Sequence, residues 1–273
     1  MRKWDANVGI GPLATDPSRY NCDDGGTVTT AIIQNHPEEI RFPLMEQPAV
    51  GLLLAFVAGL MNAWTLHHAQ TFATVQSGNV IQSGYRLVEG DWGAFIFALG
   101  SVFAFGLGAA LCGILMTSRL RRGRAFTPMV LWFECLVLLL SAITSRMGMI
   151  DAHVVAYAVG FVAGAQGNAF HKTRGMLYGN VAVTFVVQMA FNFLVQRLFK
   201  KDGINGEPNL MWARLFFSIL LAFAGGGALG FSIDMRFIDH ASLFLAAAIV
   251  LILALRALAQ PNTADPTSGG LIG

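Results

Sequence analysis

Charge is what this sequence has least of: 12% of its residues are Asp, Glu, Lys or Arg, against roughly 25% in an ordinary soluble domain. That scarcity excludes a soluble catalytic domain of any size. The formal net charge of +2 excludes the basic footprint expected of a nucleic-acid partner. Cysteine is nearly absent too. Cys22, Cys112 and Cys135 are the three present, without CxxC spacing, which argues against a disulfide framework and a zinc site. No nucleophile elbow, Walker loop, HExxH or paired-carboxylate motif occurs, so no enzyme activity, cofactor or metal is expected. The first 45 residues hold no apolar run long enough for a signal-peptide core, and the N-terminus is expected to be retained. Residues 1–45, with Asp16-Pro17-Ser18 and Asp23-Asp24-Gly25-Gly26, and the C-terminal Pro261–Gly273 read as disordered tails.

What remains is apolar: 55% of the chain is hydrophobic, with Phe at 21 positions and Gly at 30. A bilayer core of ~30 Å requires about 20 predominantly apolar residues per helix. Six stretches meet that standard: Ala49–Leu66, Trp92–Met116, Phe126–Thr144, His153–Phe170, Leu210–Ile233 and Ala241–Leu258. Two weaker segments, Thr71–Leu87 and Gly175–Leu198, each follow the first strong span of a half. The fold class expected is therefore all-α: a polytopic bundle of about six transmembrane helices plus two shorter or re-entrant helical segments. The membrane domain is placed at residues 46–260, with halves 49–145 and 152–259.

Basic residues orient the chain, because Lys and Arg near helix ends collect in the cytoplasm. The densest basic loop is Arg119-Leu120-Arg121-Arg122-Gly123-Arg124. If both weak segments are re-entrant, that loop shares a side with Lys172, Arg174, Arg197, Lys200, Lys201, Arg214, Arg256, Arg2, Lys3, Arg19 and Arg41. Only Arg86, Arg146 and Arg236 fall opposite. Six spans with both termini cytoplasmic are expected. The partners expected are the lipid bilayer and an unidentified small solute or ion, with homo-oligomerisation left open.

The halves echo one another. Phe56-Val57-Ala58-Gly59 recurs as Phe161-Val162-Ala163-Gly164, followed by Asn62-Ala63 and Asn168-Ala169. Phe105-Gly-Leu-Gly-Ala-Ala-Leu111 resembles Phe223-Ala-Gly-Gly-Gly-Ala-Leu229. Three spans and one re-entrant segment per half would invert the second copy relative to the first, a recurring plan of secondary transporters. If both weak segments span instead, the halves run parallel.

Polar residues at membrane depth are the candidates for function. Gln76-Ser77-Gly78-Asn79 carries amides and hydroxyls around a glycine that can interrupt a helix; interhelical hydrogen bonding is the alternative. Glu134 is the only acid well inside a strong span. Asn62, Asn168 and Thr184 complete the expected substrate-binding set. His67 and His68 diverge by about 100° on a helix and cannot both serve one metal, so a structural role at the interface is expected. His171, Lys172 and Arg174 mark a cytoplasmic boundary. Gly106, Gly108 and Gly225–Gly227 permit close helix packing.

Two stretches carry a resemblance. Phe56-Val-Ala-Gly-Leu-Met-Asn62-Ala-Trp-Thr followed by Phe72-Ala-Thr-Val-Gln76-Ser77-Gly78-Asn79 resembles the YoaK/DUF1275 family of bacterial membrane proteins, with its GG-x-x-D-A-Y-T and F-A-x-x-Q-T-G-N runs. Ala169-Phe-His-Lys-Thr-Arg-Gly-Met-Leu-Tyr178 is similar to that family's A-F-R-K-x-x-G-x-x-Y run. Asn62 stands where the family has an acid and Ser77 where it has Thr. Of the second-half T-G-N only Thr184 is kept, with Phe185 and Val186 following. The resemblance implies an inner-membrane protein. The function expected from these readings together is a small-solute transporter or permease; a non-transporting scaffold and an intramembrane enzyme are the alternatives.

Overall fold

A computed structural model of the chain describes residues 42–181, 183–203 and 206–266. The tails expected at 1–45 and 261–273 thus fall mostly outside the described residues. Their inner edges do not behave as tails. Leu44–Glu46 forms a buried 3-10 turn, and Pro261–Ala264 a short helix, α9. Asp265 then accepts the backbone N–H groups of Phe126 and Thr127, which no helical carbonyl can satisfy at that helix start.

Among the described residues, eight longer helices make up the bundle: α1 (Pro48–Ala69), α2 (Gln76–Glu89), α3 (Trp92–Leu120), α4 (Thr127–Arg146), α5 (Ala152–Ala169), α6 (Val183–Phe199), α7 (Asn209–Arg236) and α8 (Ala241–Ala259). Their ends carry the expected chemistry. Proline opens α1 and α4 within the first turn, Asp91 and Asp151 cap α3 and α5, and Gly90 closes α2 in the left-handed conformation. The His153 backbone N–H, and then its ring, holds the exposed Asp151 carboxyl below its ordinary pKa.

α1, α3, α4, α7 and α8 are long and apolar enough to cross a bilayer. Leu107, Ile114, Leu140, Leu221 and Ile252 lie exposed on them, as a lipid-facing surface requires. The chain is a multi-pass helical membrane protein. The sixth expected span, α5, falls short of the same apolarity. It has 18 residues and carries Gln166 and Asn168, and its neighbours are protein helices that can satisfy those amides. At ~1.5 Å per residue, α2 is about 21 Å long and α6 about 26 Å, both under the ~30 Å core.

α1 packs on α7 and α3 on α5; α2 packs on α3 and α6 on α7; α4 meets α5 and α8, and α1 meets α5 and α8. Exchanging α1–α4 with α5–α8 maps these neighbours onto one another, the smaller α7–α8 contact aside. The two main crossings also use equivalent residues. A Cβ on Gly59 would strike the Phe223 carbonyl, and one on Gly226 the Phe56 carbonyl. In the other crossing, Gly164 faces the Phe105 carbonyl and Gly108 faces that of Phe161. All four would fall well inside the 3.0 Å that real Cβ atoms respect. Backbones approach this closely only where both helices lack side chains.

One end of the bundle gathers the basic loops. There β1 (Lys172–Thr173) and β2 (Met176–Leu177) form a hairpin whose turn, Arg174-Gly175, has φ of 48° and 76°. Two successive positive-φ residues match the twist of a two-residue hairpin. Gly175 N–H donates to the Glu46 carboxylate, and Arg174 pairs with Glu207. The weak helical segment expected at Gly175–Leu198 is thereby corrected: it opens in this hairpin, and its helix begins only at Val183. At the opposite end lie Arg86, Arg146 and Arg236, each near the C-terminus of its helix.

Candidate functional site

After α1 the chain doubles back along it. The Thr71 N–H donates to the Thr65 carbonyl, the Ala73 N–H to Thr65 Oγ1 and the Thr74 N–H to Asn62 Oδ1. Residues 70–75 therefore retrace α1 from Ala69 to the level of Asn62, about 10 Å back at ~1.5 Å per residue, before α2 begins at Gln76. The irregular backbone is held by side chains. Asn79 Oδ1 accepts from the Phe72 N–H and the Thr71 hydroxyl, and its Nδ2 donates to the Phe72 carbonyl and to Gln76 Oε1. Asn62 also donates to Thr74 Oγ1 and to its own helix.

Beside this fold-back lies a cavity of about 530 Å³ open to the protein surface, lined by Thr74, Val75, Gln76, Ser77 and Phe105 from the first half and by Val181, Val183, Thr184, Phe185 and Gln188 from the second. The first turns of α2 and α6 thus meet across one space, and Ser77 and Thr184 each occupy the second residue of their helix. The volume suits a solute of modest size.

The structure divides the expected site residues. Gln76, Ser77 and Thr184 line the cavity, although the Gln76 amide is itself tied to the fold-back, donating to the Ala73 carbonyl and accepting from Asn79. Asn62 and Asn79 are buried with their amides engaged in the fold-back, so the expectation that Asn79 faces a cavity is corrected. Gly78 is corrected as well. It lies inside α2, where a Cβ would meet the Phe72 ring at 3.1 Å, and the interruption precedes it at residues 70–75. Asn168 sits away from the cavity, donating to the Ala109 carbonyl on α3 at 3.2 Å.

Glu134 is also elsewhere, fully buried on α4, with neither carboxyl oxygen hydrogen-bonded among the described residues. An unpaired acid at such a place costs stability. An apolar side chain of similar volume removes that cost, roughly 1–3 kcal/mol for an unsatisfied buried polar group. Glu134→Met is accordingly expected to raise the unfolding temperature in detergent. A lower unfolding temperature would reveal a buried partner for the carboxyl.

Asn180, a polar residue of the weak second segment, lies outside the expected substrate-binding set. It is 1% exposed, and neither amide atom has a hydrogen-bond partner among the described residues. It directly precedes Val181 at the cavity wall. Its Gly179-Asn180-Val181 repeats Gly78-Asn79-Val80, and that recurrence is the signal that could have found it. His68, expected with His67 to have a structural role at the interface, meets His240 and Asp239 from the α7–α8 turn, with Nε2 3.3 Å from the Asp239 carboxylate.

No curated protein and no solved structure matches the chain. Residues 50–256 match the family described as "Protein of unknown function (DUF1275)", and the chain belongs to that family.

Proposed function

We propose that this protein is a small-solute permease of the cytoplasmic membrane, with six spans, α2 and α6 as re-entrant helices, and two halves related by inversion. The observation that carries the reading is the shared cavity where α2 and α6 begin. Interrupted helices at membrane depth are tolerated where the freed backbone is buried in protein or lines a cavity. The fold-back of residues 70–75 supports the re-entrant assignment, and the paired glycine crossings support the repeat. Thr184 and Gln188 are the second-half polar side chains that line the cavity opposite Gln76 and Ser77, and Asn180 is buried next to Val181 behind that wall. Asn62 and Asn79 hold the fold-back and act on the site only through its shape.

Bulk in the cavity tests the reading. Purified protein in vesicles, screened for uptake and export over a broad solute set, should move at least one solute. Ser77→Trp and Thr184→Trp should each abolish that movement while the variants insert and remain monodisperse. Wild-type-like movement in both variants would discard this cavity as the pathway. A screen without any transported solute would favour the scaffold reading.

Orientation has its own test. The segregation of Lys and Arg supports placing the Arg119–Arg124 loop in the cytoplasm. Gly123→Cys, in a Cys-free background, should resist an impermeant thiol reagent in intact cells and react in inverted vesicles. Labelling in intact cells would reverse the topology.

A further inference from the structure

At the end of the bundle opposite the basic loops, the last turn of α1 meets the α7–α8 turn through a group with no part in the cavity. His68, His240 and Asp239 each offer one ligand atom, and these atoms all lie within 4.8 Å of one another. His68 Nε2 is 3.3 Å from Asp239 Oδ1, and His240 Nε2 is 3.4 Å from Asp239 Oδ2. Neighbouring ligands of a tetrahedral ion with bonds of ~2.0–2.2 Å stand at comparable separations. His68 Nε2 is buried without a hydrogen-bond partner among the described residues, although a carboxylate lies beside it. That nitrogen faces carboxylate oxygens at ion-pair distance without an aligned hydrogen bond, a position a metal ion could fill. We propose that His68, Asp239 and His240 form a binding site for a divalent transition-metal ion of the zinc type.

Two imidazoles with one carboxylate favour zinc, cobalt or nickel over calcium or magnesium, which take oxygen ligands. Asp234 lies 4.0 Å from His68 Nε2, but it is committed elsewhere. It accepts the Ser242 N–H and hydroxyl at the start of α8 and supplies negative charge without ligating. His67, exposed on the neighbouring face of α1, stays outside the set. Three protein ligands leave a fourth position for water or another donor. His240 is held in place by its own backbone: its φ is 63°, a conformation non-glycine residues seldom adopt, and its ring stacks on His68 with centroids 4.5 Å apart.

Trp64 adds a signature that a casual surface ion would lack. Its indole N–H can only donate, and it donates to His240 Nδ1 at 3.1 Å. Metal on Nε2 of a neutral His240 puts the ring proton on Nδ1, so binding must break the Trp64 bond. Zinc should therefore alter indole fluorescence.

The test uses the full chain in detergent, stripped by a chelator and titrated with ZnCl2 and with CoCl2. One ion per chain, the visible absorption of tetrahedral cobalt and a zinc-dependent fluorescence change are expected. His68→Ala and Asp239→Asn should each weaken binding at least about tenfold, the range that even an outer partner of a metal site commands. Asp239 is on an exposed turn, so its variant keeps the test valid if His68→Ala fails to fold. Absence of the cobalt absorption in the wild type, or undiminished binding in Asp239→Asn, would overturn the site.

Discussion

Gly164→Ala is expected to leave little folded protein in the membrane, while Gly106→Ala behaves as the wild type. Both glycines are helical and both changes add one methyl group. They differ in what that methyl meets. At Gly164 it would collide with the Phe105 backbone, whereas at Gly106 nothing lies within 4 Å. A flexible side chain could yield, but a carbonyl belongs to a helix that is itself packed on α2 as well as α5. Overpacking a filled interior costs about 1–3 kcal/mol and occasionally more, and a collision with backbone belongs at or above the top of that range. The same outcome is expected at Gly108, Gly59 and Gly226, since each faces the carbonyl of a phenylalanine at the matching place. Yield of monodisperse protein and unfolding temperature are the measurements. Wild-type values for Gly164→Ala would mean that the crossing is looser than described. Severe loss at only one of the two crossings would break the equivalence on which the repeat rests.

That equivalence was visible in the sequence because close helix packing leaves a compositional mark. Four small and apolar residues must recur in order, and FVAG and the glycine-rich runs do. The long apolar runs were equally legible, since lipid sets a minimum length that few soluble sequences meet. Partner choice left no such mark. Asn62, Asn79 and Asn168 look alike in sequence, yet one ties down Thr74, one ties down Phe72 and one reaches α3. Gly78 drew attention because glycine permits irregular backbone. The chain turns earlier, where hydroxyls and amides stand in for helical partners. His68 and His240 come from opposite ends of the chain, so no local pattern could join them. The hairpin at Lys172–Leu177 has two-residue strands, too short for alternation to register.

Asn79→Ala is expected to be the most damaging polar substitution, and to act through stability. Asn79 is fully buried and uses both ends of its amide on one short segment. Alanine would leave the Phe72 N–H without a partner, leave the Phe72 carbonyl only the longer bond from Gln76 Nε2 at 3.4 Å, and remove one partner each from Thr71 and Gln76. An unsatisfied buried donor or acceptor costs about 1–3 kcal/mol, so the Phe72 N–H sets a loss of about that size, with a smaller addition from the weakened carbonyl. Asn79→Asp should be comparably harmful: its carboxylate can still accept from Phe72 but would face the Phe72 carbonyl and Gln76 Oε1 without a proton to donate. Ser77→Ala, by contrast, removes a hydroxyl from the cavity wall and leaves the fold-back bonds intact, so its unfolding temperature should match the wild type. Any transport lost in Asn79→Ala should follow the fraction of protein still folded. Loss of transport in Ser77→Ala should instead appear at full expression. Asn79→Ala unfolding at the wild-type temperature, with solute movement abolished, would return Asn79 to the solute site and make its four hydrogen bonds incidental.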